Sequence, residues 1–471
     1  MYRVIWQVSQ SFLGALDSTE LRTFPTTSEE SKLFSDIRMV GDAESVFVRP
    51  PIALRADLLA MPEAFQADPA NDLAGYHHAF VEDFASATRL RDRLLHEGTV
   101  DGVEIQPPPE EPVVFGRLQE HMSAEARHEE LSLHPAPPRD FVALQGYLDP
   151  APDGIDARFA WTRPGGRGQG ITIVDVESGW NFQHEDLRRK QIGVVFGANG
   201  NSDHGTAVLG IYSGDQNGFG VTGISSNAIA GAASAIYDRN RAKWNAARAI
   251  EIAADSLQAG DVVLLEMHAP GPNAPGGGQE GYVAVEYWPA EFAAIRYAVE
   301  RGINVVEAAG NGGEDLDDSV YDDRFSRDHR DSGAILVGGG MSALQPAPRS
   351  RQPWSNYGSR LDVQGWGDSI VTTGGRQEAE YHDLVDHPEG GRCYTQSFGG
   401  TSGASPIVVG AVAAVNGCLK AAGRPVFSPA EMRRLLTETG TPQSDGPYGS
   451  SSQRIGPLPD LRAALGRLGL A

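Results

Sequence analysis

Apolar residues follow two rhythms along this chain. From Gln169 onward, short unbroken apolar runs alternate with longer stretches of helical period. The runs are GITIVDVE (170–177), VVLLEMH (262–268), INVVEAAG (303–310) and AILVGGG (334–340). Runs of this length, apolar on both faces, are the pattern of parallel strands covered on both sides. Between them, KWNAARAIEIAADSLQAG (243–260) and PAEFAAIRYAVERG (289–302) carry helical spacing, the second with Arg301 and Gly302 as a stop. The pattern predicts an α/β fold, a three-layer sandwich around a mostly parallel central sheet.

Residues 1–138 read differently. Short β-like runs at Arg3–Val8 and Ser45–Val48 precede SATRLRDRLLHEG (86–98), a predicted helix with Ser86 as cap and Gly98 as stop. GVEIQ (102–106) reads as a closing strand. Proline then clusters in PPPEEP (107–112) and PAPP (135–138), which suits a stiff exposed connection. The expected organisation is a smaller α+β accessory region at 1–138 and a large domain at 139–471. Near the C-terminus, FSPAEMRRLL (427–436) has Ser428 as cap, Pro429 at the first helical position, Glu431 three residues on, and Phe427 with Met432 as a hydrophobic staple.

Composition narrows the partners. The 471 residues carry a formal charge of −23, with 40% hydrophobic and 21% charged residues. That charge disfavours nucleic acid and anionic membranes, since phosphate binding requires a basic face. No uninterrupted apolar run approaches the roughly 18 residues of a membrane span. The opening MYRVIWQVSQSFLGALDSTE is broken by Gln, Ser and Asp, unlike a secretory apolar region, so a cytoplasmic location or a non-classical export route is expected. Cys393 and Cys418 are the only cysteines. Helical rise carries Cys418 about 24 Å past Ser402, and a bridge between them is not expected.

Parallel α/β sheets gather their chemistry at the carboxyl ends of strands. Asp175 follows ITIV, Asn311 follows INVVEAAG, and His204 opens HGTAVLGI after a small-residue loop. Ser402 sits in QSFGGTSGASPIVVGAVAAV, with small residues before it and an apolar run after it. A serine hydroxyl becomes a nucleophile when an imidazole takes its proton, and a carboxylate must hold that imidazole in one tautomer. The Asn311 amide and the Ser402 N–H at a helix start could stabilise the resulting oxyanion. In this reading Pro406 falls in a first helical turn that tolerates it.

The segments IVDVESGWNFQHEDL, DHGTAVLGI, VVEAAGNGG and GGTSGASPIVVGA resemble the aspartate, histidine, oxyanion-asparagine and serine motifs of the subtilisin-like serine proteases, in the same order. The resemblance covers roughly residues 140–445. It implies Ser402 as nucleophile, His204 as general base, Asp175 as orienting carboxylate and Asn311 as oxyanion donor. It further implies an endopeptidase acting on protein or peptide substrates through an acyl-enzyme, with no cofactor needed for catalysis. Two other readings stand beside it: an inactive or weakly active peptide-binding domain, and a hydrolase of non-peptide esters or amides. Activity is expected to fall as His204 protonates, near its reference pKa of about 6.5.

Several positions depart from the family pattern. DVESGW places a second carboxylate, Glu177, near the base, as a solvent-facing residue, an alternative partner for His204 or a salt-bridge member, of which the first is expected. Ala207 stands where relatives often have a second histidine. Glu266, His268 and Pro270 replace the familiar asparagine, serine and glycine of the substrate-pairing strand. Glu266 and Glu307 are expected on adjacent strands, either as an acidic pair selecting basic side chains or as structural hydrogen-bond partners. The loop EDLDDSVYDDRFSRDHRDSG (314–333) is aspartate-rich and lacks EF-hand spacing, and reads as a solvated rim, although the resemblance admits structural calcium. Residues 1–138 occupy the place of a propeptide. They are expected to bind the cleft intramolecularly, with cleavage between about Pro112 and Asp140. GGGQEG (276–281) fits GxGxxG, but a proline-rich loop separates it from the preceding strand, unlike a dinucleotide site. His121 and His128 lack metalloprotease spacing.

Overall fold

The computed structural model describes residues 2–8, 43–46, 61, 73–97, 100–114 and 140–471 apart from 201 and 239–242. The boundary near residue 138, the PAPP cluster, Gly98, His121 and His128 lie outside the described residues.

The N-terminal unit is a four-stranded antiparallel sheet of β1 (Tyr2–Val8), β2 (Ala43–Ser45), β3 (Tyr76–Val81) and β4 (Val100–Gln106), in the order β2-β3-β1-β4. One helix, α1 (Phe84–Glu97), covers it. That helix starts two residues before Ser86. Asp83 caps it, accepting the Ser86 N–H at 2.7 Å, so the expected cap is the third helical residue. Strand alternation divides β1 between two partners. Val4, Trp6 and Val8 pack with Leu90 and Leu94 of α1, whereas Arg3 and Ile5 face the large domain.

The large domain is built on seven parallel strands: β5 (Thr172–Glu177), β6 (Gln191–Phe196), β7 (Ile229–Ser234), β8 (Val262–Leu265), β9 (Asn304–Ala308), β10 (Ile335–Gly340) and β11 (Val363–Trp366). Their order is β11-β10-β9-β8-β5-β7-β6. On one face lie α2 (Asp203–Ser213) and α5 (Thr401–Ala421), packed over Ile173, Leu264, Val306 and Val337. On the other lie α3 (Ala246–Asp255) and α4 (Pro289–Glu300), packed over Val174, Val176, Val263 and Val305. This is the three-layer α/β sandwich expected. The cap, first-turn proline and Glu431 of FSPAEMRRLL form a capping box on the helix Pro429–Thr439.

Helix α5 is long and apolar enough to cross a membrane, contrary to the reading of uninterrupted runs, but its apolar window is wholly buried within the protein. Pro406 is its sixth residue, beyond the first turn. It has no N–H to give the Ser402 carbonyl, so first-turn tolerance does not explain it. Cys393 and Cys418 are both free and buried.

The two units dock through the outer face of the N-terminal sheet, with Ile5 and Tyr76 joining the core under α3 and α4. Arg3 crosses this junction. It is fully buried, pairs with the equally buried Glu291 of α4 at 3.3 Å, and bonds His78 and Gln106. Removing one member of a buried pair strands the other charge in low dielectric. Arg3→Ala is therefore expected to cost about 3 to 5 kcal/mol in urea denaturation at neutral pH; a loss below about 1 kcal/mol would mean the junction does not depend on this pair.

Candidate active site

Parallel pairing brings the carboxyl ends of β5, β8 and β9 to one edge of the sheet. Side chains alternate along β5, so Asp175 and Glu177 share a face with Ile173, the face covered by α2 and α5. Glu266, two residues beyond Leu264 on the neighbouring strand, joins them. All three carboxyls are fully buried.

His204 enters from the N-terminus of α2, where the Ser202 side chain caps the helix by accepting the His204 N–H at 3.1 Å. Its Nδ1 lies 2.7 Å from Glu177 Oε2. Asp175 does not reach the imidazole. Its Oδ2 accepts the Trp180 indole N–H at 2.7 Å. The structure thus reverses the two sequence expectations: Glu177 is not solvent-facing but holds the histidine, and Asp175 lies one strand step behind it. The physical reason is the pleat. Positions 175 and 177 point the same way, and the one at the strand's carboxyl end, carrying an extra methylene, meets the helix.

Ser402 is the second residue of α5, so its N–H is among those a helix leaves without an internal acceptor. That N–H donates to the Pro112 carbonyl at 3.2 Å. The peptide group of Pro112 belongs to an extended strap, residues 107–114, that follows β4 of the N-terminal unit. Glu110 pairs antiparallel with His268, N–H to carbonyl at 2.9 Å and, in return, at 3.0 Å. Gln279 Nε2 donates to the Glu111 carbonyl at 3.1 Å, and the Tyr282 hydroxyl donates to the Glu110 carboxylate at 3.2 Å. Ser178 donates its hydroxyl to the Glu111 carboxylate. The strap then turns over the small residues before Ser402: a Cβ on Gly400 would meet Pro112 O at 2.2 Å, and one on Gly399 would meet Val114 O at 2.6 Å. A cavity of about 270 Å³ opens beside the strap, between Glu111, Ser178 and Met267.

Asn311 is held from two sides. Its Oδ1 accepts the N–H and the hydroxyl of Thr401, both at 3.0 Å, while its Nδ2 donates to Gln279 Oε1 at 3.0 Å. Its amide is thereby fixed beside the N-terminus of α5. Gln279, from the glycine-rich loop read as a failed dinucleotide motif, thus contacts both Asn311 and the strap; nothing in its sequence context pointed to this.

Glu266 and Glu307 do not form a pair. Glu266 accepts the Ser405 hydroxyl at 2.6 Å under α5. Glu307 is in register with Leu265 and faces α4, where it accepts the Glu286 N–H at 2.9 Å. Sheet faces separate them. In the aspartate-rich loop, Asp317 accepts from Ser359, Asp318 caps Val320, and Asp331 pairs with Arg433. Among the described residues, a trio of metal-type ligand atoms within 4.8 Å of one another occurs at Glu111, Glu177 and His204. Two of these are already bonded to each other.

Burial dominates the electrostatics. It pushes Asp175 up to about 7, against hydrogen bonds from Trp180 and Glu177 that lower it. It pushes Glu177 well above the carboxylate range, reinforced by Asp175, Glu111 and Glu266. Glu266 rises well above it for the same reason, with the Ser405 and Ser402 hydroxyls opposing. Burial also pushes His204 down to about 4, opposed by Glu111. The imidazole is therefore neutral, and able to accept a proton, well below the pH of about 6.5 expected for an unperturbed histidine.

The family model described as the subtilase family matches residues 168–456. No curated protein matches the chain. Among solved structures it is similar to fervidolysin from Fervidobacterium pennivorans, described as a keratinolytic enzyme related to subtilisin, with a TM-score of 0.60 and 16% identity. That match covers 99% of this chain and 60% of fervidolysin, so the chain spans somewhat under two thirds of that protein's length. A protease from Pseudoalteromonas arctica also matches, with a TM-score of 0.49 and 19% identity over 70% of this chain and 99% of its own. The match to the family model extends over more than half of the 471 residues and takes in Glu177, His204, Asn311 and Ser402; the chain belongs to the subtilase family.

Proposed function

We propose that this subtilase is a serine endopeptidase that works through an acyl-enzyme. Ser402 is the nucleophile and His204 the general base. Glu177 takes the orienting part that the sequence assigned to Asp175. The Ser402 N–H and the second N–H of the Asn311 amide receive the oxyanion. The observation that carries this reading is a peptide carbonyl, that of Pro112, resting on the Ser402 N–H while the preceding residue, Glu111, lies beside His204.

The chemistry follows from that placement. Attack by Ser402 Oγ on a carbonyl so held moves negative charge onto the carbonyl oxygen, where a preorganised N–H already points. The serine proton passes to His204 Nε2, and the imidazolium is stabilised through Nδ1 by Glu177. The same proton then goes to the leaving nitrogen. The strap continues on both sides of Pro112, so the cleft accepts an internal segment rather than a chain end. This favours an endopeptidase of protein or peptide substrates over a hydrolase of small esters.

The strap also supports the reading of the N-terminal unit as an intramolecular occupant of the cleft. With Pro112 at the carbonyl position, the bond presented to Ser402 is Pro112–Val113. Mass spectrometry of the purified chain is expected to show fragments separated at that bond, and Ser402→Ala is expected to remain full length and to lose labelling by an irreversible serine probe. The same fragments from Ser402→Ala, or labelling that survives the substitution, would refute self-cleavage by this serine.

Removing the carboxylate that orients a triad histidine costs serine proteases about 10⁴-fold in kcat. Glu177→Ala is expected to lose activity on that scale in peptide hydrolysis. Retention of more than about a tenth of the activity would show that His204 does not depend on Glu177.

The histidine also sets the acid limit. Its pKa lies below the unperturbed value, so the competent neutral form persists as pH falls through 6.5 and is lost only as pH approaches about 4. Single-turnover cleavage of the intact chain, in which the strap keeps the site dry, is expected to show its acid limb in that lower range. An acid limb at or above pH 6.5 would contradict the assignment.

A further inference from the structure

The catalytic reading leaves the buried carboxyl of Asp175 without a task. Asp175 uses one oxygen for the Trp180 indole, and its other oxygen, Oδ1, has no hydrogen-bond donor. Glu177 uses Oε2 for His204, and its Oε1 likewise has none. The two residues are two positions apart on β5, point to the same face, and lie within hydrogen-bonding reach of each other. Two buried acceptors without a donor, on neighbouring side chains of one strand face, are an arrangement that native interiors avoid.

We infer that Asp175 and Glu177 share a single proton held between Asp175 Oδ1 and Glu177 Oε1. Asp175 is thus a positioning residue for the carboxyl that orients His204. The inference rests on Glu177 being the histidine's partner.

One proton satisfies both lone oxygens at once and leaves the pair with one negative charge. Two charges would be untenable there. Among the described residues, the charged or titratable groups acting on the pair from the surrounding elements are Glu111 of the strap, Glu266 beyond β8, Tyr212 of α2 and His204 itself. Glu111 and Glu266 are acids that disfavour further negative charge, and Tyr212 is a buried phenol held neutral. Burial alone makes a second ionisation costly, and a like charge in contact adds to it.

The shared proton also answers a geometrical problem. Glutamate has one more rotatable bond than aspartate, and a triad carboxyl must sit at a fixed angle to the imidazole. Anchoring Oε1 to Asp175, which Trp180 anchors in turn, fixes the carboxyl plane through a relay of three side chains. During acylation the serine proton moves to His204 Nε2. The shared proton can lie on the Asp175 side, so that the single negative charge rests on Glu177 against the imidazolium. No proton is gained or lost by the unit as a whole.

Asp175→Asn tests this directly. The amide oxygen can still accept from Trp180, and the amide N–H₂ can donate to Glu177 Oε1, so the bond survives without a titratable proton. The purified variant is expected to lose one protonated-carboxyl carbonyl stretch in its difference infrared spectrum against wild type at pH 7. It should retain peptide hydrolysis within about threefold, while Asp175→Ala, which strands Glu177 Oε1, should fall by about tenfold or more. An unchanged infrared spectrum in Asp175→Asn, or full activity in Asp175→Ala, would overturn the inference. The infrared measurement needs no turnover, so it stands even if the protein proves to have no hydrolytic activity, the outcome that would sink the proposed function instead. Should Asp175→Ala not fold, the Asp175→Asn spectrum decides alone.

Discussion

The site depends on burying acids where no cation accompanies them. Asp175, Glu177 and Glu266 project from two neighbouring strands into the layer beneath α2 and α5, all fully buried. Elsewhere among the described residues, some buried acids have basic partners. Glu291 has Arg3, and Glu286 and Asp362 share Arg360. At the catalytic edge the partners are instead an indole, an imidazole and serine hydroxyls. Such groups bond a carboxyl without fixing its charge, so protons can be redistributed there at small cost. An arginine in the same place would hold the carboxylates ionised and leave His204 facing a permanent dianion.

The remainder of the fold brings those acids to the edge and keeps water from them. Parallel register aligns the ends of β5, β8 and β9, and α5 presents the Ser402 N–H from its first turn. The N-terminal unit completes the enclosure. Its outer sheet face is fixed to α3 and α4 through Ile5, Tyr76 and the Arg3–Glu291 pair, on the side of the sheet opposite α5. From that fixed point β4 leads into the strap, which pairs with His268 and crosses Ser402. Docking on one face thus determines what lies over the chemistry at the sheet's edge.

Much of this was legible in the sequence because it was written in local patterns. Uninterrupted apolar runs marked the parallel strands, and the capping grammar of Ser428 and Glu431 was reproduced atom for atom. Ser402, His204 and Asn311 could be placed because each opens or closes an element at the sheet's carboxyl edge. The choice between Asp175 and Glu177 could not be made from residue type, since aspartate is the usual triad acid. The informative signal was position: Glu177 is the last residue of β5 and is followed by Ser178 and Gly179, the small residues at which the chain turns away from the sheet. Gln279 and Trp180 were out of reach for a different reason. Their contacts join segments distant in sequence, and no local rule records a tertiary hydrogen bond.

Among the described residues, several buried polar atoms without partners belong to side chains of the candidate site. Native interiors satisfy nearly all such atoms, so exceptions call for a physical account. At the carboxyl edge of the sheet they include Asp175 Oδ1, Glu177 Oε1, His204 Nε2, Glu266 Oε2 and Ser402 Oγ, with the Tyr212 hydroxyl and His268 Nε2 close by. The proton inferred between the first two would remove one pair from the set. On the proposed mechanism, His204 Nε2 and Ser402 Oγ are the atoms between which a proton moves as the hydroxyl attacks, and neither has a partner of its own. Glu266 Oε2 lies near the same hydroxyl, which acts on its carboxyl while its other oxygen is tied to Ser405. Other such atoms lie elsewhere, among them Trp288 Nε1, Asn304 Oδ1 and Glu307 Oε2, so it is their concentration at this edge, rather than confinement to it, that marks the site.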